Sequence, residues 1–344
     1  MCEQAKNDNG NIWKYVDIRY VPFFLIVSSL ILTFFIFLIT RGAIFPEFDY
    51  SKTGEIGDTI GGVSAPFIGM IGVFLTFAAF YIQYKANQTH IEQFVQQYDK
   101  EQKNEARDIC KWLIEKNREI ANQVHVNDMK GASCFSLLCQ EYELTYRIAK
   151  IFFEEILDNS AIINISYVVF LNGVGPISDK INRDLFSHVS GFDEFIEQLK
   201  SSKRNIEYAI SAKSAEHLET SIEDKFFSMG YAPFEGHNTT LGHYFRNIYH
   251  LLKEVDSYSH GNLNLHEKYQ LVKHLRTQMS TYEQVILYFN SLSVYGRPLK
   301  EEGYIEKYKL VKNIPFPLVE FAGDIKGNYG DVEFEWDEIR ARSE

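Results

Sequence analysis

Two stretches of the chain carry no charged side chain at all. Val21 to Thr40, bracketed by Arg19 and Arg41, has fifteen Val, Ile, Leu or Phe among its twenty residues. Thr59 to Tyr84 is longer, twenty-six residues between Asp58 and Lys85. Twenty helical residues at about 1.5 Å each match a hydrocarbon core of roughly 30 Å, and each Val, Ile, Leu or Phe favours insertion by about 0.3–0.6 kcal/mol. Both runs therefore predict membrane-spanning helices. A buried helix of a soluble protein is the competing reading of the first run, but soluble helices of this length keep a polar face. A signal peptide would have a shorter apolar region followed by a small-residue cleavage site, and neither is evident.

Within the second run, Gly62, Ala65, Gly69, Gly72, Thr76 and Ala79 recur at alternating steps of three and four, which places them on one narrow stripe of a helix. Small residues let helix backbones approach closely where lipid removes the hydrophobic drive. The stripe predicts either packing on the first span or self-assembly through the second. Pro66 fits best in the first turn of a helix, so the continuous helix is expected to begin there. Gly57, Asp58, Gly61, Gly62 and Pro66 would then shape an irregular turn at the membrane surface, with Asp58 at the headgroups. Non-helical backbone survives at that depth only when packed on protein or wetted.

Two spans put both termini on one side. The connecting loop holds Arg41 and Lys52 against Glu47, Asp49, Glu55 and Asp58, whereas Lys6, Lys14, Arg19 and Lys85, Lys100, Lys103 flank the other ends. That bias predicts cytoplasmic termini and a multi-pass protein of the bacterial inner membrane. The expected organisation is an N-terminal tail (1–17), a first span (18–41), an external loop (42–58), a second span (59–84), a helical stalk (85–128) and a cytoplasmic helical domain with an acidic C-terminal tail (129–344). Cys2, Cys110, Cys134 and Cys139 show neither a disulfide framework nor CxxC spacing, as suits a reducing compartment.

Helical spacing continues past Lys85. Ile91, Phe94, Val95 and Tyr98 form one apolar stripe, and Ile109, Trp112, Leu113, Lys116 and Ile120 a second. Between them DKEQKNEARD reads as a solvated connector or a break. A helical block covers 133–158. The apolar run Ile162 to Leu171, ending at Asn172-Gly173-Val174-Gly175-Pro176, fits a strand best, although a buried helix fits its length. The fold class is mainly α: a two-helix transmembrane hairpin, a helical stalk and an α-helical domain. A net charge of −11 with 24% charged residues describes an ordinary folded domain and disfavours general nucleic-acid binding.

Candidate chemistry centres on residues 241–257. Leu241, Phe245, Ile248, Leu252 and Val255 line one face, and His243, Arg246, His250 and Lys253 line the opposite one at steps of three, four and three. Such a basic stripe suits an anion, or it is a solvated face meeting acidic neighbours. His243, Arg246 and His250 are the weak catalytic candidates of a nuclease reading, but the three residues between Arg246 and His250 are fewer than small helical ribonucleases carry. Six of ten histidines lie at 237, 243, 250, 260, 266 and 274 without HExxH spacing, so no metal is expected. No cofactor is expected either. Val272, Leu275, Met279, Tyr282, Ile286 and Phe289 mark another core-facing stripe, within which Ser280-Thr281-Tyr282-Glu283 predicts a capping box opening a new helix. A catalytic role for Ser280 or Glu283 is disfavoured by the absence of a nucleophile-elbow pattern. GDTIGG lacks the Lys-Ser/Thr of a phosphate loop.

GDTIGGVSAPF, LGHYFRNIYHLLKEVD and LRTQMSTYEQVILYFNSLS together resemble the bacterial family of phage abortive infection proteins, with two N-terminal spans, a His-Tyr-Phe-Arg block and an Arg-x-x-Met-Ser-x-x-Glu block. The resemblance covers most of the chain, apart from an acidic, aromatic end (321–344) outside the family pattern. It implies an inner-membrane defence protein that shuts down an infected cell, with a phage-derived trigger or a partner defence protein, and it transfers no catalytic residue. An enzyme is the less favoured class. The leading expectation is a cytoplasmic domain that senses infection and spans that act on the lipid bilayer. The alternatives are a membrane-tethered nuclease using helix 241–257 or a non-catalytic scaffold for another effector.

Overall fold

A computed structural model describes residues 21–40, 53–126, 129–211, 219–222, 225–228, 231–257 and 263–343. The expected N-terminal tail, most of the connecting loop, Cys2 and His260 lie outside them. The chain divides into two compact units, 1–95 and 96–344.

In the first unit Val21–Thr40 forms α1, at the residues predicted for the first span. The second apolar run lies inside α2, Thr53–Gln123. Among the described residues one helix is long and apolar enough to cross a membrane; it falls within 57–123, and none of its most apolar window is buried. The expected turn at Gly57, Asp58, Gly61, Gly62 and Pro66 is corrected, because helix runs through all five. Pro66 cannot donate to the Gly62 carbonyl and its ring crowds that group, yet the helix continues, and Ser64 turns its hydroxyl back onto the carbonyl of Ile60. A helix pairs the remaining backbone groups internally, whereas an irregular entry would leave them bare. The same back-bonding satisfies Thr76, whose hydroxyl donates to the Gly72 carbonyl at 2.8 Å. The small stripe is exposed, and a Cβ added at Gly62, Gly69 or Gly72 meets no described atom within 4 Å.

The second unit begins with the end of α2, where the expected stalk is helix through Gln123. DKEQKNEARD is unbroken helix, with Lys103 and Arg107 both reaching Glu267. Ala106, Cys110, Leu113, Ile114, Asn117 and Ala121 then enter the core while Trp112 is 55% exposed, so the buried face is rotated from the one predicted. A Trp side chain outweighs its neighbours in a pattern of apolar positions, yet smaller residues at Ala106, Cys110 and Ala121 let α2 approach its partners closely.

Two short antiparallel hairpins, β1 His125–Val126 with β2 Met129–Lys130 and β3 Glu219–Ile222 with β4 Lys225–Ser228, accompany a mainly helical core to which Val126 contributes. That core is built on α3 (Ala132–Phe153), which packs against α4 (Asn159–Asn172), α6 (Phe192–Ser211) and α9 (Thr281–Leu292). The Ile162 to Leu171 run is therefore helix and not strand. Asp158 caps its start by accepting from the Ala161 N–H at 2.8 Å, and Gly173 closes it at φ 78°. A helix apolar on all sides is one buried on all sides, and every residue from Ser166 to Asn172 is buried. Between and after these run α5 (Pro176–Phe186), α7 (Asn238–Ser257), α8 (Leu265–Gln278), α10 (Arg297–Glu301), α11 (Tyr304–Lys307), α12 (Ile325–Asn328) and α13 (Glu335–Ser343).

The expected C-terminal tail is the last correction. Ala322, Ile325, Tyr329, Val332 and Phe334 are all buried. Tyr329 and Ser291 share a hydrogen bond of 2.7 Å, and Asn328 donates to the Tyr288 hydroxyl at 3.0 Å. Asp324, Asp331, Glu333, Glu335, Asp337 and Glu338 give the segment an acidic look in the sequence, but Tyr329 and Asn328 tie it to α9.

Candidate functional site

The α7 helix is amphipathic as its spacing dictates: Leu241, Phe245, Ile248, Leu252 and Val255 are buried, joined by Tyr244 and Leu251. His243, Arg246, His250 and Lys253 are exposed on the other face. They do not converge. His243 Nδ1 lies 3.4 Å from a guanidinium nitrogen of Arg246, His250 lies 4.0 Å from Glu254, and Lys253 sits 5.9 Å from the centre of the Tyr249 ring. No carboxylate lies within ion-pair distance of Arg246 among the described residues. Nor does any trio of His, Cys, Asp or Glu among those residues gather to hold a metal.

Of the four, Arg246 alone borders a cavity of about 280 Å³ between α7, the end of α9 and the turn into α10. Its walls are fixed from outside. The Tyr249 hydroxyl donates to Glu302 at 2.7 Å, and the Tyr295 hydroxyl to Asn172 Oδ1 at 3.3 Å. The turn carrying Tyr295 is pinned by the Val294 N–H, which donates to Asn164 at 2.7 Å. Gly296 presses flat on Asn290, where a Cβ would fall 2.2 Å from the Asn290 carbonyl oxygen. Asn290, 2% exposed, is among the residues bordering the cavity, and its side-chain amide lies beside the equally buried Tyr167 hydroxyl.

A knot of polar groups sets where α7 starts, and pattern reading missed it. Glu141 of α3 is completely buried and accepts from the Tyr231 hydroxyl (2.6 Å) and the Phe234 N–H (2.8 Å), with His237 Nε2 at 3.0 Å. Burial alone would raise its carboxyl, yet the His237 ring and those two donors hold it below the ordinary value. Burial, then the Glu141 charge, push the Tyr231 phenol up and keep it a donor. The loop is tied to the end of α4 as well, because the His237 N–H donates to the Leu171 carbonyl at 2.7 Å and the Val174 N–H to Phe234 at 2.9 Å. Gly173 and Gly236 both have positive φ where these segments touch, and a Cβ on Gly236 would lie 2.3 Å from the Asn172 carbonyl oxygen. The knot thereby places Leu171 and Asn238 side by side on the cavity. In the sequence Glu141 looks like one more polar helix position; only the Gly-His pair at 236–237, set directly before an apolar-periodic run, signals a constrained start.

A second hub is the predicted capping box. Ser280 accepts from the Glu283 N–H while Glu283 reaches back to the Ser280 N–H, both at 3.2 Å. The same carboxylate accepts from Tyr244 of α7 and lies 3.4 Å from Arg118 of α2. A catalytic Glu283 would need an open approach, and it is 1% exposed.

These features define a mainly helical protein with an uncovered apolar helix and a cavity beside α7. The family model described as Putative phage abortive infection protein matches residues 236–319. That segment holds α7 to α11, His237 of the Glu141 knot, the Tyr244–Glu283 pair, and every cavity wall named above except Leu171 and the outer anchors Asn164 and Asn172. The LGHYFRNIYHLLKEVD and LRTQMSTYEQVILYFNSLS motifs fall inside it, while GDTIGGVSAPF falls outside. The match supports a role in phage defence. No curated protein and no solved structure matches the chain to a significant degree.

Proposed function

We propose that this chain is a membrane-anchored phage-defence protein of the bacterial inner membrane, with α1 and the apolar part of α2 as two spans and both termini cytoplasmic. The helical unit that follows senses infection, directly or through a partner protein, and the spans then perturb the bilayer. The observation that carries this reading is the family match over 236–319 on the same chain as an apolar helix without protein cover. Phe67, Ile68, Met70, Val73, Phe74, Phe77 and Phe80 are each more than half exposed. Leaving such side chains in water costs about 1.5–3 kcal/mol apiece, which lipid would relieve. Open Cβ positions at Gly69 and Gly72, in line with Thr76 and Ala79, leave room for a second copy to pack closely.

An infection time course tests the proposal by recording membrane potential with a dye alongside nucleic-acid integrity. Depolarisation is expected first, with cross-linked oligomers that are lost in Gly69→Leu and Gly72→Leu together with protection. Nucleic-acid breakdown ahead of depolarisation would overturn the membrane mechanism. Protection and assembly that survive both substitutions would overturn the assembly through the stripe.

A further inference from the structure

The N-terminal end of α7 opens onto a second space, a groove of about 370 Å³ bordered by His125 of β1, by Tyr231 and Glu235 of the preceding loop, and by His237, Thr239 and Thr240. We infer that this groove binds the phosphate group of a small soluble phosphomonoester. The decisive group is His237, which is only 8% exposed. Its Nε2 lies 3.0 Å from the Glu141 carboxylate, and a carboxylate only accepts, so Nε2 bears the hydrogen of that contact. The other ring nitrogen, Nδ1, has no hydrogen-bond partner among the described residues, yet it is not one of their sealed side-chain atoms. It therefore reaches the groove that His237 borders, with no protein group to satisfy it. The face of the ring packs on Phe170 of α4, which brings no charge.

Backbone donors meet at the same place. The Thr240 and Leu241 N–H groups bond to the His237 carbonyl, whereas those of Asn238 and Thr239, in the open first turn of α7, have no acceptor among the described residues. A helix of twenty residues also presents a partial positive charge of about half a unit at this end. His125, whose Nδ1 donates to the Gln123 carbonyl at 3.1 Å, brings a second imidazole to the rim. Glu235 is the opposing charge there, and Lys203 offsets it at 3.0 Å. A phosphomonoester exchanges its second proton at about pH 6. Near neutrality it can accept from a protonated Nδ1 or donate its own O–H to the bare nitrogen, while its other oxygens accept from the helix N–H groups. A sulfate can only accept. The groove is larger than a bare phosphate and falls within the range of small-molecule sites, roughly 300–1,000 Å³. Its polar rim suits a small polar ester and not acyl chains. This binding stands whether or not α2 perturbs a membrane.

The full chain, purified in detergent, is titrated by calorimetry at neutral pH with glycerol 3-phosphate, and separately with sulfate and with dihexanoyl phosphatidate. Glycerol 3-phosphate is expected to bind with a Kd below about 1 mM, and sulfate at least tenfold more weakly. Thr239→Glu places a carboxylate in the first turn, where it favours the helix but repels the ligand. It should keep the thermal melt of the unaltered chain and bind at least tenfold more weakly. His237→Gln keeps an N–H for Glu141 and loses the second ring nitrogen, so a folded His237→Gln should show the same loss; if it does not fold, Thr239→Glu decides. Arg246→Ala and Lys253→Ala, farther along α7, should leave affinity unchanged. The inference is overturned if glycerol 3-phosphate does not bind, or if Thr239→Glu or a folded His237→Gln binds it as tightly as the unaltered chain. It is overturned as well if Arg246→Ala or Lys253→Ala weakens binding as much as Thr239→Glu does, which would move the anion to the basic stripe. Sulfate binding as tightly would reduce the site to a charge contact and overturn the phosphate assignment, and tighter binding of the phosphatidate would overturn the soluble source in favour of a lipid headgroup.

Discussion

The Tyr244 hydroxyl donates to Glu283 Oε2 at 2.8 Å, joining α7 to α9 through a carboxylate whose other oxygen caps α9 at Ser280 and faces Arg118. Three helices far apart in the chain thus meet on one side chain. Tyr244→Phe removes one buried hydrogen bond to a charged acceptor and should cost about 1.5–3 kcal/mol. Glu283→Ala also removes the cap and orphans the Tyr244 hydroxyl, so about 3–4 kcal/mol is expected. Chemical denaturation of both single variants and the double variant checks this, with the double variant less destabilised than the two single costs added.

Glu141 supplies the pH dependence. Its carboxyl is held below the ordinary value in the folded state, so the unfolded chain binds the proton more readily. The stability it contributes is present above the unfolded value near 4.5 and is lost as pH falls through the lower folded value. Glu141→Gln cannot ionise and leaves one of three donors facing an amide nitrogen. It should lower Tm at neutral pH, with a cost of about 2–4 kcal/mol, and show a shallower loss on acidification than the unaltered chain. Melting curves across acidic pH separate the two.

The close approach of Gly236 to Asn172 predicts an asymmetry between glycines. At Gly236, φ is 93° and a Cβ would fall 2.3 Å from a backbone oxygen, so Gly236→Ala should destabilise by about 3 kcal/mol or more. Gly327→Ala, where a Cβ meets nothing within 4 Å, should shift stability by no more than about 0.5 kcal/mol. Denaturant midpoints of the two variants are the measurement.

Deleting residues 322–344 should prevent the second unit from folding. The deletion uncovers core positions now filled by Ile325, Tyr329 and Phe334 and strips Ser291 of its Tyr329 partner. Large side chains lost from a core cost about 3–5 kcal/mol each, comparable to a typical domain's whole stability. Soluble yield and protease resistance of the residue 96–344 unit, with and without the deletion, report the outcome.

Charge within the apolar part of α2 tests the membrane role directly. Val73→Arg or Phe74→Arg should each oppose insertion by about 2.5–3.5 kcal/mol, since both lie near the middle of the uncharged run. Carbonate extraction should then release more of the variant than of the unaltered chain.

Periodicity and local chemistry determined what a single helix can decide for itself. The buried face of α7 is read from Leu241, Phe245, Ile248, Leu252 and Val255, and the break before α9 from Ser280 and Glu283, because spacing and caps act within one or two turns. The uncharged length of 59–84 likewise marks a helix that water does not favour. Tertiary structure alone decided the rest. Ile162 to Leu171 is helix because α3, α5 and α9 cover it, and a short apolar run has no period that separates strand from buried helix. Residues 322–334 join the core because Tyr288 and Ser291 meet them. Glu141 finds Phe234 and His237 more than ninety positions away, and Gly296 is pressed onto Asn290 by the turn into α10. Burial of a polar group depends on which distant segments close over it, and no local pattern in the chain records that.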